Sequence, residues 1–389
     1  MNNPSIPSAL SNFAAVVVEA FPFRPIEENF PDAFVSDDPL LRDGPFDDVP
    51  FDIDPQPVAV ESGAGSPSSP SSHLSASPGF LPDTLPPVLR IQSLSRLLED
   101  DKIMNRAVLC HRTVSLCVDW VTQHVDTRLH RNGLVSIRPA ANTRCADGAI
   151  RIQRLLPVTR PMPSFNLFDT LLPGWVKDPE LVARAAALWG ALPRALGHLV
   201  NAVLWDSDRF HRFVTGPSSL RGHHNDLSGN FRHSVEVAER ARDLGVGCPQ
   251  ASTSLLIVGG LLHDVAKAAE YRYDRCGQRF LLSDRGQLVG HRDTLIEWLA
   301  VARETGGGVI DEATWLGLLH MLNAARGAPG WLGLREPRSL EAEFLSIADR
   351  LSGHEDLHRR CMPTEGMNGF GSYHPHLGHR TYVTREFRT

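Results

Sequence analysis

The sequence is poor in cysteine, and the cysteines it has form no recognisable pattern. The six cysteines include no CxxC pair, so neither a zinc ribbon nor a disulfide framework is predicted. Reduced thiols, and with them a cytoplasmic location, are expected. The one apolar run near the N-terminus, residues 14–18, has no basic residue before it and Glu19 directly after it. Neither a signal peptide nor a membrane span is therefore expected.

Aromatic residues are also scarce, at 7% of the chain, whereas 31 glycines and 29 prolines are present. Part of the chain is therefore expected to remain unpacked. The net charge of −6 is unevenly distributed, because residues 1–60 contain eleven acidic residues and only two arginines. The rest of the chain has a small excess of positive charge. That excess permits contact with a phosphate backbone but excludes a strongly basic nucleic-acid binder.

The composition divides the chain into four segments. Residues 1–88 are rich in proline, aspartate, phenylalanine and serine, which predicts a disordered acidic tail. Such a tail fits either a solvated spacer or a segment that docks a partner. Residues 89–177 predict a small mixed α/β module, residues 178–360 a helical domain, and residues 361–389 a C-terminal tail.

The predicted module at 89–177 combines one helical pattern with two strand patterns. Apolar residues have helical spacing at 103–125, whereas alternation and flanking turn residues predict strands at 133–138 and 149–156. These strands are compatible with an oligonucleotide-binding (OB) barrel. The basic residues available to phosphates on such a barrel are Arg131, Arg138, Arg144, Arg151 and Arg154.

Histidines and aspartates follow a metal-ligand pattern in the helical domain. His263 and Asp264 are adjacent at the end of an apolar helical run, with His233 upstream and Asp349 downstream. Imidazole and carboxylate groups on packed helices suit a divalent ion such as Mn, Fe, Co, Ni or Zn. Such an ion lowers the pKa of a bound water and polarises a phosphoryl oxygen. These four residues are therefore predicted to bind one metal ion, and a second ion is left open.

Other residues are predicted to line the same pocket. His223 and His224 lie in a glycine-punctuated loop ahead of the first ligand, where either substrate binding or an ordinary surface position fits them. His291 begins one helix and His320 lies in the next, so both are available to a second ion or to a scissile phosphate. Lys267 follows the His-Asp pair by one helical turn. It can either pair with the aspartate or contact a substrate phosphate.

The order of these motifs resembles the HD superfamily of metal-dependent phosphohydrolases. Residues 195–352 resemble, more narrowly, the HD domain of the YhaM-type 3′→5′ exoribonucleases. The resemblance implies a mainly α HD bundle behind an OB barrel, a divalent metal cofactor, and hydrolysis of single-stranded nucleic acid or a nucleotide, with no membrane association. The motifs that carry it are His223-His224, Ser228-Gly229, Leu262-His263-Asp264, Gly286-Gln287-Leu288-Val289-Gly290-His291, Leu318-Leu319-His320-Met321 and Pro337-Arg338-Ser339-Leu340-Glu341-Ala342.

The sequence departs from that family where ligands of a second metal are expected. Residues 324–327 read Ala-Ala-Arg-Gly where the family has Ser-His-His-Gly. The resemblance then implies a catalytic role for Asp264 as metal ligand, with Lys267 or Arg326 neutralising developing charge. Two alternatives stay open. Residues 221–267 are also similar to the HD-containing TraI-type relaxases of conjugative DNA processing, and a degenerate HD domain would act as a non-catalytic binding module.

Overall fold

The structure is a computed structural model that describes residues 85–140, 148–305, 310–363 and 368–384. The predicted acidic tail lies almost entirely outside these residues, as does Arg144. All described residues belong to one compact unit, residues 70–389. They form a β-barrel followed by a helical bundle, so the predicted mainly α fold with a preceding β-containing module is confirmed.

Five strands close into the barrel. They are β1 (Leu89–Glu99), β2 (Lys102–His111), β3 (Val114–Thr122), β4 (Leu134–Pro139) and β5 (Ile150–Pro157). Their order around the barrel is β1-β2-β3-β5-β4, and β3 runs parallel to β5 while the other neighbours are antiparallel. A five-stranded barrel of this kind matches the OB architecture.

The helix predicted at 103–125 is wrong, because this segment forms β2 and β3. The two strands pair along their whole length, from Ile103 opposite Thr122 to His111 opposite Val114. The side chains that point into the barrel from β3 alternate strictly: Leu116, Val118 and Trp120. Apolar residues also lie on the outer face of the barrel, for example the partly buried Val108, so the segment contains apolar residues at helical spacing as well. Pairing between strands, which a local sequence pattern does not reveal, decides in favour of β-structure.

Helices form most of the remaining described structure, and no helix among the described residues is long and apolar enough to cross a membrane. The all-apolar stretch of α5 lies at the centre of the bundle, where residues 255–262 are all buried. The helices are α1 (Pro179–Gly190), α2 (Arg194–Leu204), α3 (Ser207–Thr215), α4 (Gly229–Val246), α5 (Thr253–Leu262), α6 (Lys267–Glu270), α7 (Asp284–Leu288), α8 (Gly290–Thr305), α9 (Glu312–Asn323) and α10 (Leu340–Arg360).

Two β-hairpins extend from the bundle. The first, β6 (Tyr271–Asp274) with β7 (Arg279–Leu282), lies between α6 and α7. The second, β8 (Gly369–His374) with β9 (His379–Val383), lies within the segment predicted as a C-terminal tail. Its β8 strand is fixed to the end of α10 by a hydrogen bond from the Ser372 amide to the Cys361 carbonyl, 2.9 Å long.

A fully buried arginine joins the barrel to the helices. The Arg90 guanidinium, on β1, donates hydrogen bonds to the carbonyls of Asn132 and Thr170 and to the hydroxyl of Ser207, at 2.7, 3.1 and 3.0 Å. Burial lowers the pKa of Arg90 to about 9. The same group lies over two aromatic rings, which belong to Trp175 and Phe210 at 5.0 and 5.3 Å from the ring centroids.

Candidate metal centre

Three packed helices bring the predicted ligands together. His233 lies on α4, His263 is the C-cap directly after α5, Asp264 follows in the next turn, and Asp349 lies on α10. Helices α4 and α5 approach closely at Gly260, where a Cβ atom would stand only 2.3 Å from the Cα of Ala238. The close approach is therefore possible only because this residue has no side chain.

The ligand atoms of these residues converge on one point. The Nε2 atoms of His233 and His263 are 3.3 Å apart, and each lies 3.5 Å from Oδ2 of Asp264. The Oδ1 atom of Asp349 is 3.0 Å from Nε2 of His233 and 3.8 Å from that of His263. His233, His263 and Asp264 form a group that can hold a metal ion, with one ligand atom of each within 4.8 Å of the others.

Hydrogen bonds on the far side of each imidazole orient its Nε2 atom toward this point. His263 Nδ1 lies 2.9 Å from the Gly260 carbonyl, which can only accept, so Nδ1 is assigned the proton. His233 Nδ1 lies 3.1 Å from the hydroxyl of Ser352, and that hydroxyl donates to Glu236 Oε2 at 2.8 Å. Nδ1 of His233 is therefore also the donor. Both Nε2 lone pairs remain available to a metal.

His291 is a third imidazole at the centre. Its Nδ1 atom lies 2.6 Å from Oε2 of Glu270, and its Nε2 atom lies 3.6 Å from Oδ1 of Asp264. The carboxylate of Glu270 thus fixes this ring in the way that carboxylates fix metal-bound histidines. The structure thus brings His291 next to Asp264, and its role at the centre remains a prediction.

The surroundings of the centre favour an ionised Asp264 and a neutral His233. Burial opposes the charged form of Asp264, but the Lys267 ammonium and the neighbouring imidazoles outweigh it and hold the pKa of that carboxyl well below its usual range. The Lys267 Nζ atom lies 2.6 Å from Oδ2 of Asp264. Burial lowers the pKa of His233. A neutral imidazole and an ionised carboxylate are the forms that bind a divalent transition metal, so the residues present fit such an ion.

The two adjacent loop histidines differ in position. His223 packs its ring 5.0 Å from that of His233, and burial, with smaller effects from neighbouring cationic groups, lowers its pKa to about 4. His224 is fully buried and has a positive φ of 45°. Its amide donates to Asp356 at 2.8 Å, and its ring contacts Ser352 at 3.3 Å. His223 therefore lies beside the centre, whereas His224 holds the loop on α10 and has no surface to offer a substrate.

His320 and Arg326 make their contacts elsewhere. Nε2 of His320 accepts a hydrogen bond from the amide of Arg338 at 2.9 Å. Arg326 forms an ion pair with Glu343, and its side chain is 58% exposed. The structure does not bring these two residues into the cluster formed by the other candidates, and their roles remain predictions.

Three residues at the site were missed in the sequence. Glu236, Glu270 and Ser352 each contact the outer nitrogen of a candidate ligand directly or through one hydroxyl. Spacing carries a weak signal for two of them, because Glu236 follows His233 by three residues and Glu270 follows Lys267 by three residues. Ser352 follows Asp349 by the same spacing, but its hydrogen-bond partners lie more than 100 residues away, so the spacing does not indicate its contact with His233.

We expect Ser352→Ala to weaken metal binding. The substitution removes the acceptor for the His233 Nδ1 proton and leaves Glu236 without the hydroxyl, so the ring is no longer held in its orientation. Loss of such an outer partner costs about 10- to 100-fold in metal affinity. Titration of metal-free protein with Mn²⁺ or Zn²⁺ measures the change. Ser346→Ala, on the same helix, is the control, and equal affinities of the two variants would contradict the assigned role.

The HD-domain family model matches residues 230–353. This segment contains all four predicted ligands and most of the helices that position them. The chain thus contains an HD domain over residues 230–353.

Several curated relatives carry the name 3′-5′ exoribonuclease YhaM, and the chain resembles them. The relative from Bacillus pumilus (strain SAFR-032) is 26% identical over 231 residues, which is 59% of this chain and 65% of the relative. The relative from Geobacillus sp. (strain WCH70) is 28% identical over 151 residues, 39% of this chain and 45% of the relative. The relative from Bacillus subtilis (strain 168) is 27% identical over 150 residues, which is 39% of this chain and 46% of the relative.

The chain therefore spans between about half and two thirds of the length of these relatives. No solved structure gives a significant match. The predicted resemblance to the HD superfamily and to YhaM is confirmed, whereas these relatives add nothing to the relaxase alternative.

Proposed function

We propose that this chain is a metal-dependent phosphodiesterase that shortens single-stranded RNA from its 3′ end. The observation that carries the proposal is the convergence of His233, His263, Asp264 and Asp349, with the imidazole Nε2 atoms turned inward and their outer nitrogens held. The names of the relatives support the direction and the RNA substrate. The barrel ahead of the HD domain supplies a surface of the type that binds single strands.

The ligands would hold one divalent ion, which lowers the pKa of a bound water and polarises the scissile phosphate. His233, His263, Asp264 and Asp349 would hold this ion, and His291 faces the same carboxylate. Lys267 has 12% of its side chain exposed, so its ammonium borders the centre and can offset charge that develops on the phosphate. Arg326 is less suited to that role because it lies outside the cluster of ligands, where its exposed side chain pairs with Glu343.

The test of the proposal uses RNA labelled at its 5′ end, with Mn²⁺ or with a chelator. A ladder of products that shorten from the 3′ end, abolished by the chelator, is expected. The same oligonucleotide as DNA, and RNA labelled at the 3′ end, define the sugar preference and the direction. Purified protein that contains no metal and cleaves neither RNA, DNA nor nucleotides would instead support the non-catalytic binding module.

The outer face of the barrel carries a pair of like charges that fits a phosphate backbone. Arg138 on β4 and Arg154 on β5 are direct cross-strand partners, and both are exposed. Like charges directly opposite each other on one sheet face repel, and an anion between them removes the repulsion. Of the other predicted arginines, Arg151 pairs with Asp119 at 2.8 Å, and Arg131 lines a cleft of about 810 Å³ on the barrel.

We expect Arg154→Glu to weaken RNA binding without loss of stability. The new carboxylate faces Arg138 and converts a repulsive cross-strand pair into an attractive one, worth about 0.2–1 kcal/mol. Binding of single-stranded RNA in the presence of a chelator should weaken, and the salt dependence of log K should fall by about 0.7 for each lost phosphate contact. Arg242→Glu, near the C-terminal end of α4, is the control. An unchanged salt dependence in Arg154→Glu would exclude this face as an RNA contact.

A further inference from the structure

A second cavity opens beside the metal centre. It has a volume of about 490 Å³, and Lys267 and Asn230 form part of its lining. Both residues touch Asp264, through the ammonium at 2.6 Å from Oδ2 and through the Asn230 amide at 3.0 Å from the backbone carbonyl. A ligand in the cavity would therefore meet the residues that border the metal ligands.

Aromatic residues of the first hairpin also line the cavity. Tyr273 and Phe280 are direct partners on β6 and β7, with their ring centroids 5.1 Å apart at 62°. Tyr273 is 50% exposed, because a hairpin of two four-residue strands has little core of its own in which to bury the ring. Exposed aromatic rings that border a cavity provide surfaces on which flat rings stack.

The charge of the lining favours an anionic ligand. Lys267, Arg212 and Arg275 line the cavity, and no carboxylate is found among the described residues that do so. Lys267 pairs with Asp264 and Arg212 with Asp208, but neither carboxylate lines the cavity, so the lining itself is positive and disfavours a cationic ligand. Aromatic rings together with cationic groups fit a nucleotide, whose base is flat and whose phosphate is negative.

One buried acceptor in the lining has no partner. Asn230 is 1% exposed, and its Nδ2 atom is committed to the Asp264 carbonyl. Among the described residues no donor reaches its Oδ1 atom. A buried amide oxygen without a partner is costly, and a hydroxyl or amino group of a ligand would satisfy it.

We propose that this cavity holds the 3′-terminal nucleoside of the RNA, with the base against Tyr273 and Phe280. The phosphate lies toward Lys267, and a hydroxyl or amino donor of the nucleoside lies at Oδ1 of Asn230. The inference rests on the proposed function, because it assigns a pocket to the 3′-terminal residue that this reaction removes. In this proposal the hairpin formed by β6 and β7 binds the terminal base.

The test is a binding experiment in which no cleavage occurs. A short RNA with 2-aminopurine as its 3′-terminal base is titrated with full-length protein in the presence of a chelator. Wild-type protein should quench the fluorophore on binding, and an otherwise identical RNA with an abasic 3′ terminus should bind roughly 10-fold more weakly, since stacking of one base contributes that much or more. Tyr273→Ala should lose the quenching and bind both RNAs equally.

Two further variants make the result specific. Tyr273→Phe keeps the ring and should restore quenching, whereas Leu282→Ala, on the same hairpin, should behave as wild type. Thermal unfolding of all variants shows whether the fold is intact. If Tyr273→Ala still discriminates against the abasic RNA as wild type does, the cavity does not hold the terminal base. Cleavage by wild-type protein with Mn²⁺ is assayed separately, so failure of that activity is distinguishable from failure of the pocket assignment.

Discussion

Asp264→Asn is expected to abolish metal binding and to reduce kcat/KM for RNA cleavage on the order of 1,000-fold or more. The substitution keeps the size of the side chain but removes the charge that Lys267 and the imidazoles surround. Lys267 then lacks its carboxylate partner, and an ion would meet a neutral ligand beside an uncompensated ammonium. A bound metal contributes several kcal/mol of transition-state stabilisation, which corresponds to a rate loss of this size.

The measurement is metal content by mass spectrometry together with cleavage of labelled RNA. Asp243→Asn is a suitable control, because this carboxylate is 64% exposed near the end of α4 and pairs only with Arg242 among the ion pairs of the described residues. The control should retain both metal and activity. Wild-type stoichiometry in Asp264→Asn would mean that the convergent residues do not form the metal site.

Gly260→Ala is expected to destabilise the fold by about 3 kcal/mol or more, the upper range for overpacking. Its Cβ would lie 2.3 Å from the Cα and 2.5 Å from the amide nitrogen of Ala238. Both atoms belong to the backbone of α4, so only movement of a whole helix relieves the clash. Because α4 carries His233 and α5 ends at His263, that movement would also separate two of the ligands. Urea unfolding of metal-free protein measures the loss.

The neighbouring glycine offers a matched control. A Cβ at Gly259 would meet the terminal methyl and the sulfur of Met321, at 2.5 and 2.9 Å. Methionine can change rotamer at low cost, and alanine favours the helix by about 1 kcal/mol over glycine. Gly259→Ala should therefore change stability by about 1 kcal/mol or less. Similar losses in the two variants would show that helix contact at Gly260 is not the cause.

The ligands could be predicted from the sequence because each lies in a local pattern. His263-Asp264 ends an apolar helix, and His233 and Asp349 lie in helical segments with recognisable flanks. The groups that orient these ligands could not be predicted equally well. Ser352 contacts His233 although the two residues are 119 positions apart in the sequence, and no local sequence pattern indicates this contact.

The barrel illustrates the same limit for secondary structure. The alternation at 133–138 and 149–156 predicts the strands that form at 134–139 and 150–157, whereas β2 and β3 have apolar residues on both faces, and their spacing also fits a helix. Each of those strands is stabilised by its partner in the barrel, and that partner cannot be inferred from periodicity within one window. The buried position of His224 and the hairpin at 369–383 likewise depend on contacts with α10.

Arg90 limits how far the two parts of the molecule can be treated as interchangeable modules. Its partners come from both sides of the boundary predicted at residue 178, with Thr170 and Trp175 before it and Ser207 and Phe210 after it. An HD domain excised at that boundary would expose the Phe210 ring to water, and a barrel grafted onto another enzyme would leave Arg90 without the Ser207 hydroxyl and the Phe210 ring. Recombination during evolution, or the engineering of chimeric proteins, would therefore have to transfer the barrel and the bundle together.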